Sequence, residues 1–440
     1  MGVRRRVLSI GIVAGTSAML VGSSLGAPAG PKPPRPAAGW QAPVLVHADQ
    51  AHRETSLAIN PENEKVMLAC APSGVPNTQY NQSYFHVSRN GGRTWEPLRV
   101  ENDDANDPRA YTFEGGDCDV AFDEGGTMYS ADTWLGNLSV GHSRDDGRTW
   151  EGTPVAATGM VVDRPWLVGG PEGTIHVTYQ DLQCCMPSAI WYTRSTDYGM
   201  TFRPTRPVAS ADQGGAFTWQ GNLVVSEDAN DLYLAYTRRA GAALGSLDDQ
   251  GPEKLFVAAS HDGGDTWTSN LVVSLPKPMS YLYPSLAIDH RSGKLHVVFS
   301  SMGETDRPIW YATSMDQAKT WTEPVPLTRG TAGYSPWVAV DDRGNAAVVW
   351  YGSPDPATTD STESEWYFYW ARIPAGDFSP SRVRTGTTTR DPIYAGVSGI
   401  PEFENIRLDA GGRMHIGASA YRAGENGTRP GWAIYYQRQR

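Results

Sequence analysis

With 440 residues, 40% of them hydrophobic and only 19% charged, the chain can bury a large core, which excludes an intrinsically disordered protein. Gly 47 and Pro 32 together approach a fifth of the sequence, above average usage, so turns are frequent and an all-α bundle is excluded. The formal net charge of −11 disfavours nucleic acid and anionic membrane as partners.

Arg4, Arg5 and Arg6 precede an apolar stretch, residues 7–25, that ends in the small residues Gly26, Ala27, Pro28 and Ala29. This is the pattern of an export signal over residues 1–29, and Arg5-Arg6 also fits a twin-arginine form. The stretch is interrupted by Gly and Ser and has no positive flank behind it, which argues against a retained membrane span. Its removal takes away three Arg and no acid, moving the formal charge to −14. Residues 30–38 read as a Pro-rich linker and residues 39–440 as one domain. The mature protein is expected to be soluble, monomeric and outside the cytoplasm.

Seven segments then repeat one plan of apolar alternation, an Asp/Gly/Asn turn and apolar alternation, the signal of a β-hairpin. They begin at Ser56, Asp119, Arg164, Gly221, Pro284, Ser335 and Phe403, as in DVAFDEGGTMYSAD and SPWVAVDDRGNAAVVWYG. Each is followed by a third strand, such as YFHVS or IWYATS, and the first six by a fourth. The seventh stops at Arg440 with its edge open, and an open edge needs a partner. GWQAPVLV, residues 39–46, matches a fourth strand, with Trp40 in the place of the tryptophan that opens other fourth strands and Pro43 matching Pro97 and Pro324. The amino-terminal segment is therefore expected to complete the last unit.

Between the third and fourth strands, five segments share a spacing: SRNGGRTW from Ser88, SRDDGRTW from Ser143, STDYGMTF from Ser195, SHDGGDTW from Ser260 and SMDQAKTW from Ser314. The short acid can accept hydrogen bonds from the amides of its own turn, a Gly two positions on can take positive φ, and the aromatic can pack at the start of the next strand. Asp145, Asp197, Asp262 and Asp316 thus have a structural role. Asn90 and Ala318 depart from the pattern, so their turns are expected to be the least well tied.

The motif S-x-D-x-G-x-T-W resembles the Asp-box, or BNR repeat, of sialidase-like β-propellers. The resemblance implies an all-β fold, here a single seven-bladed propeller, with the six-bladed sialidase type as the alternative. Sialidases open with a Phe/Tyr-Arg-Ile-Pro motif that supplies the first arginine of a carboxylate-binding triad; the corresponding stretch here, HRETSLAI, keeps Arg53 without that motif. Seven-bladed Asp-box propellers also occur among xyloglucan-degrading glycosidases and non-enzymatic assembly factors, so the box alone does not determine function.

In such propellers the site lies at the end opposite the box turns, where the strand order places acids, arginines and aromatics. The resemblance implies an arginine clamp from Arg53, Arg164 and Arg238, Glu402 or Glu404 beside a tyrosine such as Tyr334, and Asp117 or Asp119 as proton donor. Asp163, Asp181, Trp134 and Tyr283 complete the candidate binding surface for a glycan or another small polar ligand. Two readings follow: a secreted sialidase-like hydrolase of terminal glycosidic bonds, and a non-catalytic propeller that binds glycan or protein at the cell surface. Neither cofactor nor metal is expected, because no CxxC or HxxxH spacing occurs. Cys70, Cys118, Cys184 and Cys185 allow three disulfide pairings; Cys70 ends a second strand and Cys118 begins the next unit's first, so that bond is sterically reasonable. His176 and His296 fall on strand positions, where packing is the expected role.

Overall fold

A computed structural model describes residues 34–47, 54–72, 83–98, 116–134, 136–159, 161–181, 189–209, 216–240, 253–276, 283–301, 305–356, 364–376, 378–395, 401, 405–422 and 431–440. The expected signal segment lies outside the described residues, as do Arg53, Cys184, Cys185, Glu402 and Glu404.

The strands form seven antiparallel sheets. Blade one contains Ser56–Ile59, Met67–Pro72, Ser83–Ser88 and Glu96–Pro97; blade two Cys118–Phe122, Met128–Trp134, Asn137–Ser143 and Glu151–Thr158; blade three Val162–Gly169, Ile175–Asp181, Ala189–Ser195 and Arg206–Ala209. Blade four contains Ala216–Val225, Leu232–Ala240, Glu253–Ser260 and Thr268–Leu275; blade five Ser285–Asp289, Lys294–Ser300, Ile309–Ser314 and Val325–Pro326. Blade six contains Ala332–Val340, Ala346–Ser353, Glu365–Ile373 and Arg384–Thr387, with Tyr394–Ala395 added beside its third strand. The inner strands neighbour one another in ring order, and the ring closes between blades seven and one. The fold is thus a seven-bladed β-propeller.

Blade seven is completed as its open edge requires. Its own strands are Asn405–Leu408, Met414–Arg422 and Gly431–Arg438, and its outer strand is Val44–His47, with Val44 opposite Tyr436 and Leu45 opposite Tyr435. Trp40 is buried, bridges to Gln439 and lies 6.4 Å from the Trp370 ring of blade six. Box tryptophans make the same contact with the preceding blade: Trp95 lies 5.5 Å from Tyr436, and Trp267 lies 5.4 Å from Tyr192. The expected linker already has fixed partners from Pro34 onward. Arg35 pairs with Asp391 at 2.7 Å, and the Ala37 amide donates to the Thr388 carbonyl at 3.0 Å.

The core is divided among the seams between blades. Leu68, Cys70 and Phe85 of blade one pack against Val120, Met128 and Trp150 of blade two, and each of the other six seams has its own buried cluster. The Cys70–Cys118 disulfide crosses the first of these seams. At the seams after blades three, five and seven a buried histidine meets a tyrosine hydroxyl: His176 with Tyr192, His296 with Tyr311 and His415 with Tyr436, each at 2.7 Å. Burial pushes His176 and His296 down to about 3, so both are neutral packing residues at physiological pH.

The box acids act within their own turns. Asp145 Oδ1 accepts from the Arg148 and Thr149 amides at 3.0 and 2.9 Å, and the Gly147 amide donates to Ser143 Oγ at 2.9 Å. Hydrogen bonds from the Thr320 hydroxyl and amide hold the Asp316 carboxyl down to about 2. The two divergent turns are tied by the same bonds, contrary to the sequence expectation. Asn90 Oδ1 accepts from the Arg93 and Thr94 amides at 3.0 Å, while its Nδ2 donates to Thr94 Oγ1 at 2.7 Å. Ala318 takes φ +64° and donates its amide to Ser314 Oγ at 3.1 Å, with its methyl buried against blade four. An amide-bearing side chain replaces a carboxylate without loss, and buried apolar contact offsets the strain of a left-handed alanine.

Short bonds also stitch the inner strands around the channel. Asp119 accepts from the Ser56 hydroxyl of blade one and from the Leu167 amide of blade three at 2.7 Å, so one side chain joins three blades. Asn222 pairs with both backbone groups of Leu286 at 2.8 Å. Burial pushes the Asp119 carboxyl up to about 6, against these two hydrogen bonds and the charge of Arg407.

Two stability outcomes follow. A Cβ on Gly264 would stand 2.1 Å from the Tyr192 ring, whereas one on Gly199 would come no closer to any neighbour than 3.4 Å, to Val140. Gly199→Ala should cost about 1–2 kcal/mol through its positive φ, and Gly264→Ala clearly more; equal costs in urea denaturation would remove the close-packing argument. Because Asp119 holds its proton more tightly when folded than the ordinary value near 3.9, its contribution is fully present below about pH 4 and is lost as pH rises through about 6. The stability difference between wild type and Asp119→Asn should therefore change by on the order of 2–3 kcal/mol between pH 4 and pH 7, and a pH-independent difference would show that the carboxyl does not titrate in this range.

Candidate functional site

The inner strands begin at the end of the propeller opposite the box turns, so residues just before or just inside them ring the channel mouth. Three of these strands are distorted there. Register shifts between Asp163 and Trp166 in blade three, between Gln220 and Leu223 in blade four and between Tyr334 and Trp337 in blade six. In blades three and six the residue before a proline has positive φ: Arg164 at +52° and Ser335 at +49°. This conformation is costly for a non-glycine residue, and such outliers cluster at functional sites.

The distortions aim two tryptophans at the axis. Blades three and six stand across the ring from each other, yet the rings of Trp166 and Trp337 approach to 5.2 Å, which is possible only on the channel axis. Both are buried, and together they form a floor below the mouth. Trp337 also borders a cavity of about 480 Å³ on the box-turn side, lined by Val120, Leu167, Leu223, Leu286 and Arg407 among others. Tyr283 and Tyr334 are buried in the same aromatic layer.

Above this floor the charged side chains converge. The Arg164 guanidinium pairs with Glu54, lies 3.8 Å from Asp117 and stands over the Tyr283 ring at 5.3 Å. Its carbonyl accepts a hydrogen bond from Gln220 of blade four, which fixes the bulge from the next blade. Asp163 and Glu54 hydrogen-bond with Asp117. Burial pushes the Asp117 carboxyl up, but the Arg164 charge and these two hydrogen bonds outweigh it and hold Asp117 below the ordinary carboxylate range. The cluster therefore favours an ionised Asp117, with Arg164 offsetting part of its charge.

The structure brings Asp117, Asp163, Arg164 and Tyr283 into this one group. Tyr334 is in the aromatic layer, with Arg307 over its ring at 5.4 Å. Asp119 is deeper, held between Ser56 and Leu167. Asp181 accepts from the Val161 amide at 3.3 Å in the connection between blades two and three. Arg238 is half-buried on the second strand of blade four, opposite Thr218 and Lys254, while its neighbour Arg239 pairs with Glu253 at 2.9 Å. Trp134 ends the second strand of blade two. The sequence reading gave no role to Trp166, Trp337 and Ser335; the signal for them was the Pro-Trp pair that recurs only in the first strands of blades three and six.

Residues 34–297, more than half of the chain, match the BNR repeat-like domain family. Comparison with curated proteins finds no match in sequence. Among solved structures, a protein of unknown function from Dyadobacter fermentans is similar with a TM-score of 0.52 at 14% identity, covering 92% of this chain and 100% of that one. An ulvan lyase, described as a new family of polysaccharide lyase and bound to -[GlcA(1-4)Rha3S]-, gives 0.54 at 11% identity, covering 89% and 95%. The NanB sialidase of Streptococcus pneumoniae gives 0.47 at 11%, covering 91% and 70%. At such identities the likeness extends to the fold alone. With five box turns of one construction set in a closed ring of seven blades, the chain belongs to the BNR repeat-like domain family.

Proposed function

We propose that this protein is a secreted, glycan-acting enzyme of sialidase-like kind, which hydrolyses a terminal glycosidic bond at the mouth of the propeller channel. The observation that carries this reading is the Glu54, Asp117 and Asp163 group around Arg164. A glycosidase needs one carboxyl that keeps its proton and one that does not, in a setting shielded from bulk water. Asp117 is the ionised member, Glu54 is the carboxylate paired with Arg164, and Asp163 is the group from which a leaving-group oxygen would take a proton. Tyr283, Trp166 and Trp337 are buried beneath them and give the group an apolar floor that shields it from bulk water. The solved ulvan lyase, bound to -[GlcA(1-4)Rha3S]-, supports a glycan as the ligand class proposed here. Tyr334 with Glu402 or Glu404 stays in the proposal as the nucleophile and its base, Asp119 as an alternative proton donor, and Arg53 and Arg238 as further substrate contacts.

A second reading, a propeller that binds glycan or protein at the cell surface without turnover, is favoured by one observation. The Arg164 charge is already met by Glu54 and Asp117, so it is not open to a substrate carboxylate in the way a sialidase clamp arginine is.

Chromogenic sialosides and neutral glycosides, presented as a panel to the mature protein, separate the two readings. Under the first, at least one is hydrolysed, and Asp117→Asn lowers kcat/KM about 10²–10⁴-fold in protein that circular dichroism shows to be folded at the assay temperature. Release from none of them, together with saturable binding on a glycan array, would establish the second.

A further inference from the structure

The first strands of the seven blades share a register with their second strands, so equivalent positions can be compared around the ring. Val168, Ala287 and Arg407, for example, stand opposite the equivalent histidines His176, His296 and His415. This one position is Ala58, Ala121, Val168, Val224, Ala287 and Ala339 in blades one to six, and Arg407 in blade seven. All seven residues line the channel cavity of about 480 Å³ that Trp337 borders on the box-turn side. Six blades show that a small apolar side chain satisfies the fold at this level. Blade packing therefore does not account for the arginine.

The guanidinium keeps binding capacity. Arg407 Nη1 donates to Asn405 Oδ1 and to the Ile406 carbonyl at 3.1 Å, while among the described residues Nε and Nη2 have no acceptor and no carboxylate lies within ion-pair distance. Asp119, whose charge acts on Arg407, spends its two oxygens on Ser56 and Leu167. Burial lowers the pKa of Arg407 from its ordinary value against that charge, so the cation gains from a further counter-ion. Around the box-turn opening Glu124, Glu227 and His290 are exposed, and two acids there disfavour multiply charged anions. We propose that this lower channel is a second binding site, for a small organic monocarboxylate whose carboxylate meets Arg407 and whose apolar body lies against the ring of alanines and valines. One cation calls for one negative charge, the guanidinium fork matches a carboxylate, and the volume suits a small molecule. Trp166 and Trp337 separate this site from the acid cluster at the mouth.

The test uses mature protein with sodium benzoate and sodium hexanoate. In titration calorimetry wild type should bind at least one of them in a single saturable site, with a dissociation constant of about 1 mM or lower, and should bind benzyl alcohol and sodium sulfate at least about tenfold more weakly. Arg407→Met, which keeps an apolar stem and removes the charge, should weaken carboxylate binding at least about tenfold in protein that circular dichroism shows to be folded. Wild-type crystals soaked in 4-bromobenzoate should place the bromine anomalous peak in the channel between Trp337 and His290, a readout that stands even where the variant does not fold. Saturable binding of neither carboxylate would overturn the proposal. So would undiminished binding by Arg407→Met, equally tight binding of sulfate or benzyl alcohol, or bromine outside the channel.

Discussion

Pairing between Val44–His47 and Gly431–Arg438 is the constraint on which this molecule depends. Each blade buries its faces only against its neighbours, so a ring with one blade short of a strand would expose the backbone edge of Gly431–Arg438 and leave the seam beside it half covered. The closing strand removes that edge, seats Trp40 against blade six, and presents Val46 to Leu57 and Met67 of blade one. The channel, its mouth and the convergence of Glu54, Asp117 and Arg164 from three blades exist only when the ring is complete.

The seams share chemistry without being identical. Where a box is present, its aromatic and glycine fit against the third strand of the preceding blade; where the box is lost, as in blade six, Phe378 takes the contact with Tyr311 at 5.3 Å. A histidine behind the tyrosine fixes its hydroxyl in alternate blades. The repeated unit that evolution has copied is thus a contact across a seam as much as a turn within a blade. That explains why Asn90 and Ala318 are tolerated: both preserve the cross-seam contact and the amide-capping bonds even though the motif letters change.

Architecture was legible in the sequence because it rests on local periodicity. Alternating apolar runs, turn residues and the five boxes mark the strands, and the missing fourth strand after Trp432 leads directly to Trp40. The disulfide between Cys70 and Cys118 was readable as one sterically sound choice, because strand order places both on one face. The site was legible only by face. Asp117, Asp163, Arg164 and Tyr283 lie together in the structure, but nothing in their spacing shows that Arg164 spends its charge on Glu54 and Asp117, or that Asp119 stitches three strands together. Those facts depend on distances between blades, which no single-chain pattern encodes. The axial tryptophans are a different case, since the recurring Pro-Trp pair was visible and its meaning depends on a bulge that only the register reveals.

Ring closure also sets the order of events during biosynthesis. Cys70 and Cys118 are separated by 48 positions, so in an oxidising compartment the first seam can be covalently fixed independently of the later blades. The strand at Val44, by contrast, waits for a partner that a ribosome working at about 5–20 residues per second delivers about 20–80 s later. Throughout that interval a short apolar ribbon is unprotected. Its brevity, and the proline at position 43 just before it, limit its chance of adhering to the wrong chain until Gly431–Arg438 emerges and captures it.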